Sequence, residues 1–196
     1  MERIREWLGQ GNSILVLPGW KDSGPDHWQS HWERDLPGLR RVQQDNWHEP
    51  VAADWVGNLN EAIVTAPVRV SLVAHSLGCI VQAHWAIVHR RDCPRIAGAL
   101  LVAPADPVYE GLTGHIRGFL PMPVLSLPYP SLVIASDNDP TCDIERAYFL
   151  GQTWGSRQIV LKNAGHINVD SGFGPWPEGL RHLSDLIIEA NGTEVA

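Results

Sequence analysis

Positive charge is scarce in this 196-residue chain: 15 Lys and Arg stand against 22 Asp and Glu, a formal net charge of −7 with histidine neutral. Nucleic-acid phosphates demand a basic face, so no nucleic-acid partner is expected, and a strongly anionic substrate is disfavoured. Cysteine is scarce as well. Cys79, Cys93 and Cys142 are odd in number and form no C-x-x-C, which fits buried or partly buried thiols in a reducing compartment. The opening "MERIREWLGQ" is charged from its second residue and has no continuous apolar stretch, and no segment reads as a membrane span. The expectation is a cytoplasmic protein without membrane contact. Internal repeats, low-complexity segments, a Gly-rich phosphate loop and a metal-like acidic cluster are also missing. His27 and His31 stand four apart in "HWQSHWE", on one helical face, but H-E-x-x-H is absent and no third ligand is evident. Neither a metal nor a cofactor is expected.

What is present is an ordinary globular composition, 44% hydrophobic and 19% charged, at a length that suits one domain, 1–196, with a substantial core. Short apolar runs alternate with helix-length segments. "SILVLPG", "VRVSLVAHS", "IAGALLVAP", "PSLVIASDND" and "SRQIVLKNAGH" read as strands, and "RRVQQDNW" (Arg40 to Trp47) as a sixth nearer an edge. Between them lie helical patterns at Asp26–Leu36, Val51–Ala66, "LGCIVQAHWAIVHR", "DIERAYFLGQTWG" and Pro177–Ala190. Strands apolar throughout and separated by helices imply a six-stranded parallel sheet covered on both faces, an α/β architecture. Residues 1–11 read as an N-terminal extension. The stretch 105–130, rich in Pro and Gly, reads as an irregular segment near the site with a short helix near Tyr109.

The third strand ends in Ala74-His75-Ser76-Leu77-Gly78, one residue away from G-x-S-x-G. A nucleophile on a tight strand-to-helix turn needs small residues two before and two after it, and Ala74 and Gly78 are small. The helix behind it aims N–H groups and its positive dipole end at a developing oxyanion. The competing reading makes Ser76 a helix N-cap. A nucleophilic serine also needs a base and an acid that orients the base. Those come from loops at the carboxyl edge of the sheet, where "LVIASDNDP" supplies Asp137 and Asp139 and "IVLKNAGHIN" supplies His166. The order Ser, Asp, His is that of α/β-hydrolases. An oxyanion hole requires two N–H donors, and Leu77 and Trp20, with Gly19 second to Trp20, are the candidates. Gly19, Trp20, His75 and Trp176 are candidates for the substrate pocket. The other tryptophans read as packing, and Asp170 and Ser171 as residues that shape the loop after His166.

With "LPG" after the first strand, "LVIASDNDP", and "AGHINVDSGFGPWPEG", the sequence resembles the small serine hydrolases of the retinoblastoma-binding-protein-9 and YdeN family over nearly its whole length. The resemblance implies a three-layer α/β-hydrolase fold, sheet order 2-1-3-4-5-6, with Ser76, Asp139 and His166 as the triad. It departs at Ala74, where the family usually has Gly. Between the two aspartates, Pro140 also favours Asp139, since it restricts the backbone before it and so fixes the carboxylate. The expected function is cleavage of small carboxylic esters, thioesters or amides through an acyl-serine intermediate. Two alternatives stand beside it: a protein-interaction module on a hydrolase fold, and an acyl thioesterase.

Overall fold

In the computed structural model, which describes residues 1–192, six parallel strands form one sheet in the order β2-β1-β3-β4-β5-β6. They are β1 (Ser13–Leu17), β2 (Leu39–Arg41), β3 (Val70–His75), β4 (Ile96–Val102), β5 (Ser131–Ser136) and β6 (Arg157–Leu161). The helices are α1 (Glu2–Gly9), α2 (Trp28–Asp35), α3 (Ala52–Val64), α4 (Leu77–Val88), α5 (Glu110–Thr113), α6 (Ile144–Trp154) and α7 (Pro177–Gly192). The expected strand count and order are those observed. β1, β3, β4 and β5 are buried along their whole length, as strands covered on both faces must be.

The two-residue period of a strand divides the core. Leu15 and Leu17 of β1 face a cluster with Trp55, Trp85 and Trp154, from α3, α4 and α6. Ile14 and Val16 face the opposite cluster, with Trp28 and Trp32 of α2 and Leu183 and Leu186 of α7. Residues 1–11 are more than an extension. They form α1, which packs on α7 and buries Ile4 and Trp7 in that second cluster. The signal was an amphipathic turn too short to stand out beside its charges.

β2 is shorter than the expected strand. It pairs with β1 only through Leu39, Arg40 and Arg41. Beyond it the side chain of Asn46 accepts hydrogen bonds from the backbone of His48 (2.9 Å) and Glu49 (3.0 Å), and this local turn competes with extended pairing. Gln29 of α2 is fully buried beneath the carboxyl ends of β1 and β3. Its amide donates to Leu17 O and Val73 O (both 3.2 Å), and its carbonyl accepts from the Ser23 hydroxyl at 2.6 Å. Gln29→Leu removes all three bonds and leaves the Ser23 hydroxyl without its acceptor. It should cost about 2–3 kcal/mol, read as a lower urea midpoint at constant m value; a midpoint equal to the parent's would show that this clamp contributes nothing.

Candidate active site

Ser76 sits between β3 and α4 with φ 55° and ψ −122°, a conformation that L side chains rarely adopt. Its N–H donates to Val102 O of β4 at 3.0 Å, fixing the turn to the neighbouring strand. The side chain makes no capping hydrogen bond to α4, so the helix-cap reading fails. Gly78 is required for a reason more specific than smallness: a Cβ there would lie 2.3 Å from Leu17 O and 2.9 Å from Pro18 O. The first turn of α4 runs against the backbone that leaves β1. Gly19 is constrained from the other side, since its Cβ would lie 2.6 Å from Ser76 Cβ. Ala74 is fully buried, and its methyl group is accommodated within the core.

The Ser76 hydroxyl lies 2.9 Å from His166 Nε2, and His166 Nδ1 lies 2.8 Å from Asp139 Oδ2 and 3.1 Å from Oδ1. A carboxylate only accepts, so Nδ1 carries the imidazole proton and Nε2 accepts from the serine. The Asp139 side chain is 3% exposed and that of His166 14%, so the chain is largely screened from water. Thr141 holds Asp139 as well, and its hydroxyl lies 3.1 Å from His166 Nδ1. Its backbone N–H (2.8 Å) and its hydroxyl (2.9 Å) both donate to Oδ1. Sequence reasoning missed Thr141, although an acceptor two residues before an N–H is the spacing of an Asx turn.

The remaining side chains of "SDND" tie the acid loop to the histidine loop. Ser136 Oγ accepts from Ala164 N (3.0 Å), Asp137 Oδ1 from Asn163 N (2.7 Å) and Asn138 Oδ1 from Gly165 N (2.8 Å). Asp137 therefore organises the loop and does not reach His166. Ser171 accepts from His166 N at 3.1 Å and donates to Asn168 Oδ1 at 2.9 Å, so it shapes this loop.

Trp20 follows Gly19, and its indole N–H donates to His48 O at 2.9 Å. Its ring stacks on His115 with centroids 4.7 Å apart, and the Lys21 ammonium lies 4.0 Å from the ring centroid. His115 belongs to the irregular segment, which the structure anchors: Arg117 exchanges backbone bonds with Pro50 and Ala52 (both 2.9 Å), and Phe119 is buried. The loop bearing Trp20 is held by Arg41, whose guanidinium donates to Asp22 (2.7 Å), Ser23 O (2.9 Å) and Ser30 Oγ (2.7 Å). Lys21 and Asp22 both have positive φ, and this network restrains them.

Two expected pocket residues lie elsewhere. Trp176 is buried among Trp28, Trp32 and Phe173, because the turn into α7 folds it into the core. His75 is buried below the nucleophile, since alternation along β3 points it away from the side of Ala74. Its ring lies 4.8 Å from His166 and 4.8 Å from His27. Burial, and then the neighbouring His166 and His27, push His75 well below its usual range. His27 is lowered from 6.5 to about 3, first by burial and then by Arg41 and His166. His27 Nδ1 accepts from Gln29 N, capping α2, whereas His31 pairs with Arg34.

A parallel sheet with a serine on a strained strand-to-helix turn, and an imidazole and a carboxylate on the next loops of the same edge, defines an α/β-hydrolase. The chain belongs to the serine hydrolase family, whose model matches residues 14–185. It is 25% identical over 173 residues to the YdeN protein of Bacillus subtilis (strain 168), named as a hydrolase, covering 84% of this chain and 90% of that one. The structure is similar to that of a YdeN-like hydrolase from Pectobacterium atrosepticum, at 32% identity and TM-score 0.83, covering 97% of this chain and 99% of that one. Carboxylesterase CesB from Bacillus subtilis shares the fold at 13% identity and TM-score 0.59, covering 89% of this chain and 83% of that one. Among the described residues, no helix is long and apolar enough to cross a membrane.

The buried histidines make stability depend on pH. In the unfolded chain His27 binds a proton near 6.5, whereas in the folded protein it stays neutral down to about 3. The unfolded state therefore binds more protons in that window, and stability is lost as pH falls from about 6.5 towards 3. His27→Asn keeps an acceptor for the α2 cap and removes the titration, so unfolding free energy against pH should become shallower there. A slope identical to that of the parent would exclude His27 as a contributor.

Proposed function

We propose that Ser76, His166 and Asp139 form a catalytic triad that cleaves small carboxylic esters through an acyl-serine intermediate. One observation carries this reading: the hydrogen-bonded chain from Ser76 Oγ to His166 Nε2 (2.9 Å) and from Nδ1 to Asp139 Oδ2 (2.8 Å), mounted on a strained turn. Such a turn costs about 1–3 kcal/mol and is retained where a side chain must be presented. Ser76 Oγ attacks the acyl carbon while its proton passes to His166 Nε2. The oxyanion that forms is met by the N–H groups of Leu77, at the first position of α4 where no intrahelical acceptor exists, and of Trp20. Collapse expels the alkoxide, which takes the proton from His166. Water, deprotonated by the same imidazole, then attacks the acyl-serine and releases the acid. Asp139 fixes the tautomer and supports the imidazolium. Thioesters and amides suit the same chemistry, and the three free, buried cysteines fit a cytoplasmic setting.

Ser76→Ala should abolish turnover of a p-nitrophenyl ester and labelling by a fluorophosphonate, a loss of about 10⁶ in kcat, with thermal unfolding unchanged. Covalent labelling of that variant would refute the assignment. The two aspartates provide a sharper comparison. Asp139→Asn should lower kcat by about 10⁴, because the tautomer is wrong, whereas Asp137→Asn should act mainly on loop stability through its bond to Asn163 N. The opposite pattern would move the acid to Asp137.

Trp20 follows Gly19, which packs against Ser76, and its indole is locked by His48 O and stacked on His115; on the present reading it is a fixed wall of the acyl pocket. Acetyl and butyryl esters should accordingly be cleaved faster than octanoyl esters, and Trp20→Ala should shift the preference towards longer chains. A parent enzyme fastest on long chains would overturn this view of the pocket.

A further inference from the structure

His75 separates two pieces of the site: it is joined by a peptide bond to Ser76, and its ring packs under the loop that bears His166. Its Nε2 lies 2.9 Å from the backbone oxygen of His166. A carbonyl oxygen can only accept, so Nε2 carries the hydrogen and Nδ1 the lone pair. The next carbonyl, Ile167 O, accepts from the indole N–H of Trp28 at 2.9 Å. His166 N donates to Ser171 Oγ. The peptide groups on both sides of the imidazole are thus held by side chains and one turn bond, Ile167 N to Ala164 O at 3.1 Å, and not by a regular ladder.

The loop needs such holding. Asn163, Gly165 and Ile167 have φ of 52°, 54° and 48°, a near-alternation of left-handed residues that no strand or helix stabilises. Without its carbonyl tether, His166 would keep its bonds to Asp139 and Ser171 but lose the one restraint that comes from the residue next to Ser76. A displacement of about 1 Å at a reacting group can cost 10²-fold in rate.

We infer that His75 is a positioning residue for the base, its Nε2–H fixing the His166 backbone so that nucleophile and base keep register. The inference rests on the triad reading above. The tether requires a hydrogen on Nε2, which the neutral Nε2–H tautomer supplies. The titratable groups that face it are His166, from the loop after β6, and His27, from the loop before α2. Burial acts against the charge that a second proton would bring, and so do those two neighbours. His27 enters the same arrangement. Its Nδ1 is engaged by Gln29 N, so its hydrogen sits on Nε2, which is buried with no partner among the described residues, while its ring packs on that of His75.

The test compares His75→Leu, which removes the donor, with His75→Gln, whose amide places an N–H near the position of Nε2–H. His75→Leu should lower kcat on a short p-nitrophenyl ester roughly 10- to 100-fold with KM little changed, and His75→Gln should recover most of the loss. A wild-type kcat in His75→Leu, or a His75→Gln variant as slow as His75→Leu, overturns the inference. Should His75→Leu fail to fold, long-range ¹H–¹⁵N spectra of the unmodified protein still decide it. His75 must show a hydrogen on Nε2 in the folded protein; an Nδ1–H tautomer with a bare Nε2 refutes the tether. Failure of the triad reading would appear separately, as turnover by Ser76→Ala, and would leave the spectroscopic outcome for His75 untouched.

Discussion

Everything at the catalytic edge depends on one backbone conformation, the positive φ of Ser76 at the end of a fully buried strand. A non-glycine residue there costs on the order of 1–3 kcal/mol, and the turn persists because its surroundings leave no alternative. β4 takes the Ser76 N–H, the carbonyls leaving β1 press on Gly78, and Gly19 packs on the serine from above. Relaxing φ would swing the first turn of α4 into Leu17 O. The cost is met by burial elsewhere, in two cores that enclose the tryptophans at 28, 32, 55, 85 and 154, far more apolar surface than the turn can strain.

A second constraint follows from the first. Once Ser76 is fixed, His166 must be brought to it by a loop that makes little regular structure of its own. The acid loop performs this task with consecutive side chains. Ser136, Asp137 and Asn138 each accept from an amide between Asn163 and Gly165, and only Asp139 is left to face the imidazole. Two aspartates two residues apart therefore have different partners for a geometric reason: one meets the backbone of the neighbouring loop, the next but one its side chain.

Those features were unequally legible in the sequence. The parallel sheet was legible because β1, β3, β4 and β5 are predominantly apolar, and the site because its three groups follow β3, β5 and β6. Gly78 was legible as a small residue, though the atoms it must avoid are carbonyls of β1 and not the Ala74 side chain. Hidden from the sequence were interactions between segments distant in the chain. Gln29, Arg41 and Thr141 read as ordinary polar residues, and only the folded chain shows Gln29 lying under two strands or Arg41 holding the loop after β1. Trp176 misled for a related reason. Its glycine- and proline-rich surroundings suggest an exposed loop, yet the turn into α7 folds the ring against Trp28. α1 was missed because a helix of eight residues gains its stability from packing on α7 and not from its own pattern.

The burial of Asp139 then raises the question of what keeps a carboxylate in so dry a place. Attraction to an imidazolium is not needed for the answer, because neutral donors reach both carboxylate oxygens. In the resting site the carboxylate is supported by neutral donors: the N–H and hydroxyl of Thr141 on Oδ1 and the Nδ1–H of His166 on Oδ2. Such donors satisfy the oxygens at all times and leave the negative field directed along the Nδ1–H bond. On the triad reading proposed above, protonation of Nε2 would therefore meet an electrostatic environment already oriented for it, without reorganisation of the protein. The neutral histidines on the far side of the base act in the same direction, for a charged neighbour at His75 or His27 would oppose the imidazolium at the moment it forms. Two buried histidines whose burial disfavours charge are thus as much a part of the site's electrostatics as the carboxylate they lie beyond.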